Sequence, residues 1–210
     1  MKATVSEIPV VHLIDDDESL RTALRRVIST AGHAVKTYGS AAEFLLAREG
    51  SLRGCLVLDV RMPGGASGLE LHKALVRQGE TLPVIFITGH GDIPMGVQAI
   101  KDGAFDFLTK PVESDCLLTT IRDALATEEA TCEASDRLRE IAARASRLTP
   151  AEREVFRHVV EGLANKQIAA ELHCSERTVK AHRSQVMSKM GASSLADLVH
   201  LSEMLALPAA

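Results

Sequence analysis

The chain has 210 residues, of which 46% are apolar and 25% are charged, and its net charge is −4. This length allows one or two domains with hydrophobic cores, and the mild negative charge argues against nucleic-acid binding through overall basicity. The four cysteines form no C-x-x-C pair, which argues against a zinc site and favours reduced thiols. The N-terminus lacks a signal-peptide pattern and no run approaches the roughly 18 apolar residues of a membrane span, so we expect a cytoplasmic protein without membrane contact.

In the first half, short apolar runs alternate with helical patterns. The apolar runs predict strands at 10–14, 34–38, 55–59, 84–88 and 105–108. The helical patterns cover 19–31, 41–48, 68–78, 94–101 and a stretch that begins at Ser114. Strict alternation of this kind favours an α/β fold, a doubly wound (βα)5 domain with a parallel sheet.

Polar residues follow four of the predicted strands directly. Asp15, Asp16 and Asp17 come after the first strand, Asp59 ends the third, and Thr88 and Lys110 follow the fourth and fifth. Because ligands bind outside the carboxyl ends of the strands in such sheets, we expect these groups to converge. Carboxylates suit Mg²⁺, which removes the repulsion between an aspartate and an incoming phosphoryl group. Unrelated strand-end polar residues would explain each group singly but not the whole set.

The second half begins with a charged, alanine-rich segment without Gly or Pro. We interpret residues 128–147 as a helical linker that continues the fifth helix, with a flexible tether as the alternative. Fragments of a heptad pattern could form a weak dimer seam. Its apolar positions are Leu118, Ile121, Leu125, Leu138, Ile141, Ala145 and Leu148.

A compact set of helix signals follows the linker and predicts a small all-α domain of four helices. Thr149, Pro150 and Glu152 form a start signal for a helix to Glu161. Further helices are predicted over 166–172, capped by Asn165, over 176–190, capped by Ser175, and from Ser193 or Ser194 to about Leu207-Pro208. Short helices joined by the tight turn His173–Ser175 are typical of a helix-turn-helix.

The stretches HLIDDDESLR, LVLDVRMPG, FITGHGD and FDFLTKP resemble the receiver domain of two-component response regulators, most closely the FixJ type, over residues 8–127. The resemblance implies that Asp59 accepts a phosphoryl group from a cognate sensor histidine kinase. It assigns Mg²⁺ binding to Asp15, Asp16, Asp59 and the backbone carbonyl of Arg61, whereas Asp17 is not a ligand. Thr88 and Lys110 match the residues that bind the phosphoryl group, and Pro111 matches a proline often preceded by a cis bond. Phe107 matches the aromatic switch position, although an ordinary core role is the alternative.

One segment departs from the family pattern. The loop containing Gly64, Gly65 and Ala66 is one residue longer than usual, which leaves kinase docking and phosphate lifetime open. His90, two residues after Thr88, would face the same opening, where a solvated loop histidine is the favoured interpretation.

The stretches LTPAEREVF, EGLANKQIAAEL and SERTVKAHRSQVMSKM resemble the LuxR-type, or NarL-type, DNA-binding domain over residues 149–207. The resemblance implies that helix 176–190 enters the major groove. The helix is locally basic, and its spacing predicts an inner face of Val179, Val186 and Met190. Lys180 and Arg183 suit guanine edges or phosphates, and the outward face also carries Ala181. Phosphate contacts are assigned to Lys166, Thr178 and Ser184. We expect Lys189 to be a solvated charge near the helix end, and His182 is open between packing and groove contact.

We therefore expect three segments: a phosphoacceptor receiver domain over 1–127, a helical linker over 128–147 and a DNA-binding domain over 148–210. Together they predict a transcription regulator in which Mg²⁺-dependent phosphorylation either promotes dimerisation or releases the DNA-binding domain. Expected partners are the kinase, double-stranded promoter DNA and a second copy when phosphorylated or on DNA, with RNA polymerase as a further candidate. It would not be a dedicated enzyme, since it would only accept and slowly hydrolyse its own aspartyl phosphate.

Two other classes share single features with this chain. Phosphatases of the haloacid-dehalogenase type use a strand-end aspartate in a D-x-D-x-T pattern on the first strand, but the threonine is missing after Asp17. Ligand-gated regulators of the quorum-sensing kind share the DNA-binding pattern, but they need an apolar ligand cavity where this chain supplies carboxylates.

Overall fold

A computed structural model gives the architecture of the chain and describes residues 8–48, 52–63, 65–89 and 93–206. The chain divides into two compact units, Met1–Thr131 and Cys132–Ala210. The division falls within a continuous helix and not in a loop. Among the helices in these ranges, none combines the length and the apolar content that a membrane crossing requires.

The first unit is built around a parallel sheet with the strand order β2-β1-β3-β4-β5. Its strands are β1 Val10–Ile14, β2 Ala34–Tyr38, β3 Gly54–Asp59, β4 Val84–Thr88 and β5 Asp106–Thr109. The helices that alternate with them are α1 Glu18–Thr30, α2 Ala41–Ala47, α3 Gly68–Arg77, α4 Ile93–Lys101 and α5 Ser114–Ser146. The predicted doubly wound (βα)5 class is confirmed, with boundaries that differ by a residue or two.

Both faces of this sheet are buried, which explains why its central strands consist of nearly continuous apolar runs. Helices α1 and α5 cover one face, where Leu13, Val57 and Ile85 lie in the core. Helices α2, α3 and α4 cover the other face, where Phe44 and Phe86 are fully buried. The two layers fix the strand register and thus the positions of the residues that follow each strand.

The second unit is all-α, as predicted. Its helices are α6 Pro150–Val160, α7 Asn165–Glu171, α8 Glu176–Met190 and α9 Leu195–Ala206. The predicted capping box at Thr149 and Glu152 is present, and Ser175 caps α8. Between α7 and α8 the chain turns at His173, whose φ of 50° lies in the left-handed region. The predicted end of the last helix at Leu207-Pro208 lies outside the described residues.

The predicted cap of α7 is wrong. The helix begins one residue earlier, at Asn165, and Ala164 is the residue at its N-cap. The Gln167 side chain accepts a hydrogen bond from the Ala164 backbone N–H at 2.8 Å. Asn165 Oδ1 instead accepts from Arg183 Nη1 at 2.9 Å. The Arg183 guanidinium of α8 thus donates to the side-chain oxygen that the sequence predicts to accept from the backbone N–H groups at the start of α7.

The helical linker is confirmed, because α5 runs without interruption for 33 residues. The predicted dimer seam along it is wrong at three of its seven positions. Ile121 is fully buried in the core of the first unit. Ile141 and Leu148 are each 3% exposed in the core of the second unit. Side chains packed inside their own unit are not available to a second copy.

Candidate functional site

Three carboxylates predicted to converge lie together at the carboxyl ends of β1 and β3. Ligand atoms of Asp15, Asp16 and Asp59 all lie within 4.8 Å of one another. Asp15 is fully buried, Asp59 is 6% exposed and Asp16 is exposed. Carboxylate oxygens at such spacing, open to water on one side, fit a hard divalent cation such as Mg²⁺ that keeps part of its water shell.

Asp15 and Asp17 make different hydrogen bonds and have different structural roles. Asp15 Oδ1 accepts a hydrogen bond from the Asp17 backbone N–H at 2.8 Å, and its backbone carbonyl accepts from Arg21 Nη1 at 2.6 Å. Asp17 caps α1 by accepting from the backbone N–H groups of Ser19 and Leu20. Because its carboxylate accepts these hydrogen bonds at the helix start, Asp17 is not one of the three clustered carboxylates, which agrees with what the resemblance implies.

Asp59 is fixed by the backbone that follows it. Asp59 Oδ1 accepts from the Arg61 backbone N–H at 3.1 Å, which places the backbone of Arg61 beside the carboxylates. Helix α3 begins against the same strand end, because the Gly68 N–H donates to the Val60 carbonyl at 3.2 Å. A Cβ at Gly68 would lie 2.1 Å from the Asp59 carbonyl oxygen, so only glycine allows this approach.

Lys110 joins two of the carboxylates. Its Nζ donates to Asp59 Oδ2 at 2.6 Å and to Asp15 Oδ2 at 2.9 Å. Burial works to lower the pKa of Lys110, but the hydrogen bonds to Asp59 and Asp15 outweigh it and raise that pKa above its usual value. Burial raises the pKa of Asp15, against the opposing hydrogen bond from Lys110. The peptide bond between Lys110 and Pro111 is cis.

Thr88 holds a buried hydroxyl that lacks a hydrogen-bond partner among the described residues. It lies at the end of β4, one residue beyond Ile87, which is the register partner of Asp59. The side chain is fully buried, and among the described residues its Oγ1 has no hydrogen-bond partner. A buried hydroxyl in this state costs free energy, which favours a ligand that supplies an acceptor.

Phe107 lies on β5 and packs against the core formed with α2, α3 and α4. The ring also lies against Gly96 of α4, where a Cβ would stand 2.8 Å from Cδ2 of Phe107. The ring is half-buried. This packing agrees with the core interpretation, and the switch role of Phe107 stays a prediction. The extra-loop residue Gly64 and the loop histidine His90 lie outside the described residues.

The outward face of α8 carries the predicted DNA-binding side chains. Val179, Val186 and Met190 are buried beneath it, so the predicted inner face is confirmed. Among the predicted contacts, Thr178, Lys180, Ala181 and Ser184 of α8 are exposed, and so is Lys166 of α7. His182 is half-buried. An exposed basic helix of this kind can enter a major groove with its lysine free to reach base edges or phosphates.

Two basic residues of α8 are engaged within the unit. Arg183 is half-buried and held by Asn165 of α7, so its guanidinium is pre-positioned. The predicted solvation of Lys189 is wrong, because its Nζ donates to both carboxylate oxygens of Glu152, at 2.6 and 2.8 Å. The Glu152 side chain is 6% exposed, and a buried carboxylate attracts the nearest ammonium group.

Comparison with protein families gives two matches along the chain. Residues 11–122 match the response regulator receiver domain, and residues 146–202 match the bacterial regulatory proteins of the luxR family. The chain belongs to the two-component response regulators.

Relatives of this response regulator match it along nearly the whole chain. The response regulator protein TmoT of Ectopseudomonas mendocina is 44% identical over 93% of this chain and 89% of its own length. The transcriptional regulatory protein FixJ of Bradyrhizobium diazoefficiens is 42% identical over 91% of this chain and 93% of its own. The solved structure of the response regulator StyR is 44% identical, covers 93% of this chain and 98% of its own, and superposes with a TM-score of 0.86. The chain is thus a transcription-regulating response regulator with a receiver domain and a LuxR-type DNA-binding domain.

Several contacts of this response regulator escape sequence reasoning. The ion pairs Glu152–Lys189 and Arg53–Glu128 and the Asn165–Arg183 hydrogen bond join positions 18 to 75 residues apart. His12, within an apolar strand, pairs with the Tyr38 hydroxyl at 3.1 Å. The one signal in the sequence is a charged or polar residue at a position where the periodicity places the core, as at Glu152.

Proposed function

We propose that phosphorylation of Asp59 by a cognate sensor histidine kinase, dependent on Mg²⁺, controls dimerisation and sequence-specific DNA binding by this response regulator. The observation that carries the proposal is the strand-end arrangement in which Lys110 bridges Asp59 and Asp15 while the buried Thr88 hydroxyl, within the described chain, lacks a partner. An incoming phosphoryl group on Asp59 would offer oxygens to both donors.

The carboxylates fit the metal that this reaction needs. Asp15, Asp16 and Asp59, with the backbone carbonyl of Arg61, would hold Mg²⁺. When bound, Mg²⁺ neutralises charge on the transferring phosphoryl oxygens and lets an anionic nucleophile approach. Lys110, which follows β5, supplies a second positive charge beside the attacking carboxylate of Asp59.

The chain itself responds through Thr88 and Phe107. Once Asp59 carries phosphate, a donor hydrogen bond from Thr88 Oγ1 to a phosphoryl oxygen satisfies the buried hydroxyl. The movement of Thr88 alters the space beside β5, and Phe107 with α4 adopts the packing that fits. The phosphate thus biases a pre-existing equilibrium between two packings of this face.

Intact-mass measurement tests the acceptor. Incubation of the full chain with acetyl phosphate and Mg²⁺ should add one phosphate to the wild type and none to Asp59→Ala. Asp123→Ala, at an exposed position on α5, is the matched control and should be modified like the wild type. A wild type that gains no mass, or an Asp59→Ala variant that gains the same mass, contradicts the proposal.

The second unit would carry out the response by binding DNA. Lys180, Arg183 and Ala181 on α8 would face base edges, and Lys166, Thr178 and Ser184 would contact phosphates. A unit with balanced charge and one basic helix binds a single half-site weakly, so two copies on adjacent half-sites gain affinity through effective concentration. Selection of bound fragments from genomic DNA, with and without phosphodonor, measures both sequence preference and its dependence on phosphate.

We propose that the protein has no separate catalytic activity. The groups around Asp59 serve to accept one phosphoryl group and later to pass it to water, so the protein turns over only its own aspartyl phosphate. Promoter DNA, the kinase and a second copy are the proposed partners, and RNA polymerase is a further one at the promoter.

A further inference from the structure

The open edge of the sheet carries a groove that phosphorylation at Asp59 does not use. β2 lies at one end of the strand order and pairs only with β1 in the described sheet. A groove of about 320 Å³ runs along its other side. This β2 groove is lined by Arg25 of α1, Ala47 of α2, and Val35, Lys36, Thr37 and Tyr38 of β2.

The strand presents backbone groups to this groove. The Tyr38 carbonyl accepts from the Asp15 N–H at 3.2 Å, so the backbone of Tyr38 faces β1. Because backbone groups of successive residues point to opposite sides of a strand, those of Val35 and Thr37 point to the open side. A row of such donors and acceptors is the template onto which an extended peptide adds as a further strand.

Two cations flank these backbone groups. Arg25 and Lys36 are exposed, and within the described chain neither side chain forms an ion pair or a hydrogen bond. Val35 packs toward the α1 and α5 layer, whereas Tyr38 packs toward the α2 layer. Alternation along the strand therefore puts Lys36 on the face opposite Val35 and Arg25, and positive charge lies on both faces of the edge.

The positive charges of Arg25 and Lys36 determine which kind of ligand the β2 groove can bind. Pairing of two β2 edges would bring Arg25 and Lys36 of two copies together, which is unfavourable. Nucleic acid would bring phosphates against the outward carbonyl oxygens of Val35 and Thr37. An extended peptide with acidic side chains matches both the backbone pattern and the cations. We propose that the β2 groove binds an extended acidic segment of a partner protein, which adds as a strand beside β2 with its carboxylates on Arg25 and Lys36.

A direct binding assay on the full chain tests this inference. The probe is a fluorescein-labelled ten-residue peptide in which pairs of valines alternate with pairs of glutamates, so that an extended strand carries glutamates on both faces. Its binding is followed by fluorescence anisotropy. A valine–lysine peptide of equal length and a single-stranded oligonucleotide are the comparison ligands. We expect the acidic peptide alone to bind and to protect the amides of Val35 and Thr37 against hydrogen exchange. Comparable binding of the basic peptide or of the oligonucleotide overturns the proposal.

Variants that reverse one charge at a time test whether the peptide binds in the β2 groove. Arg25→Glu and Lys36→Glu should each weaken the acidic peptide by about tenfold or more, because like charges across an interface are strongly unfavourable. Arg26→Glu, an exposed neighbour on α1 outside the groove, should bind like the wild type. Equal losses in all three variants would indicate a general charge effect and refute the site. If the acidic peptide fails to bind and Lys36→Glu only causes self-association, Lys36 merely keeps the edge unpaired and the proposal is wrong.

Discussion

At the residue scale, the strand-end groups were predictable because topology alone brings them together. Asp15, Asp59 and Thr88 each follow a run of apolar residues, and a parallel sheet places the ends of such runs at one edge. The partner of each group was not predictable in the same way. That Lys110 spans Asp15 and Asp59 at once depends on atomic distances which residue spacing does not fix.

The Thr88 hydroxyl gives the first prediction. Thr88→Val keeps the shape of the side chain and removes a buried donor that has no partner in the described structure, so it should raise the free energy of unfolding by about 1 kcal/mol. The same variant should lose the increase in DNA affinity that phosphodonor gives the wild type. Tyr38 is the single tyrosine of a chain without tryptophan, so tyrosine fluorescence during urea unfolding reports on the receiver domain alone.

Thr88→Ser is the matched control for this prediction. It keeps the hydroxyl and should retain the response to phosphodonor. A Thr88→Val variant that is less stable than the wild type would mean that the hydroxyl is satisfied before phosphorylation, and would contradict the role proposed for it.

His12 gives a prediction about pH. Burial, with a smaller contribution from nearby Lys36, lowers the pKa of His12 from 6.5 to about 4. Between these values the unfolded chain binds a proton that the folded chain does not, so the free energy of unfolding falls as the pH falls from 6.5 toward 4. NMR titration of the His12 ring measures the pKa directly. His12→Gln, which can still hydrogen-bond to Tyr38, should show a flatter pH dependence, and a folded-state pKa near 6.5 would contradict this account.

At the element scale, helix starts and stops were predictable where a short signal acts locally, and wrong where another element competes. The capping signals of Thr149 with Glu152 and of Ser175 act within one turn of their own helices and were predicted correctly. Asn165 has the same capping chemistry, but Arg183 of α8 takes its side-chain oxygen. A residue that caps in isolation is therefore redirected when a guanidinium from a neighbouring helix lies within reach.

The two lysines of α8 separate stability from DNA binding. Lys189 pairs with the buried Glu152 at the start of α6, whereas Lys180 is exposed. Lys189→Met should speed amide exchange at the start of α6 and lower the melting temperature with little effect on DNA affinity at low temperature. Lys180→Ala should leave exchange unchanged and weaken promoter binding by about tenfold, the magnitude typical of a lost base contact. Equal effects of both variants on both measurements would contradict this separation.

Gly96 and Phe107 give a prediction about α4. In an exposed helix, Gly→Ala normally stabilises by about 1 kcal/mol. Here the added Cβ would stand 2.8 Å from the Phe107 ring, so Gly96→Ala should gain nothing in the wild type. In a Phe107→Ala background the gain should return, as read from Tyr38 fluorescence during urea unfolding. Additive effects of the two changes would mean that α4 and Phe107 are not coupled, and would remove the mechanical link proposed for the switch.

At the scale of the whole molecule, α5 is the covalent path between the two domains. Its first turns lie in the receiver core through Leu117 and Ile121, and its last turns lie in the core of the second unit through Ile141. The sequence predicted the helix from the absence of Gly and Pro between 114 and 146. The ion pair that holds α5 against the receiver domain joins Arg53 and Glu128. It was not predictable, because these residues are 75 positions apart in the sequence.

The Arg53–Glu128 pair gives the last prediction. Arg53 Nε donates to Glu128 Oε1 at 2.5 Å, and the Glu128 side chain is 8% exposed, which ties the end of the receiver part of α5 to the residue before β3. Glu128→Gln removes an ion pair whose guanidinium is 24% exposed and thus partly screened by water, so we expect it to cost about 1 kcal/mol. Glu128→Gln should therefore speed amide exchange over 124–131 and reduce the effect of phosphodonor on DNA affinity. Phosphorylation of Asp59, measured by intact mass, should be unchanged, because the pair lies at the opposite end of β3 from Asp59. Glu129→Gln is the matched control. It changes the exposed neighbouring position and should behave as the wild type.

One outcome would contradict this account. If Glu128→Gln still responds fully to phosphodonor while amide exchange over 124–131 rises, α5 would transmit no signal and would serve only as a tether.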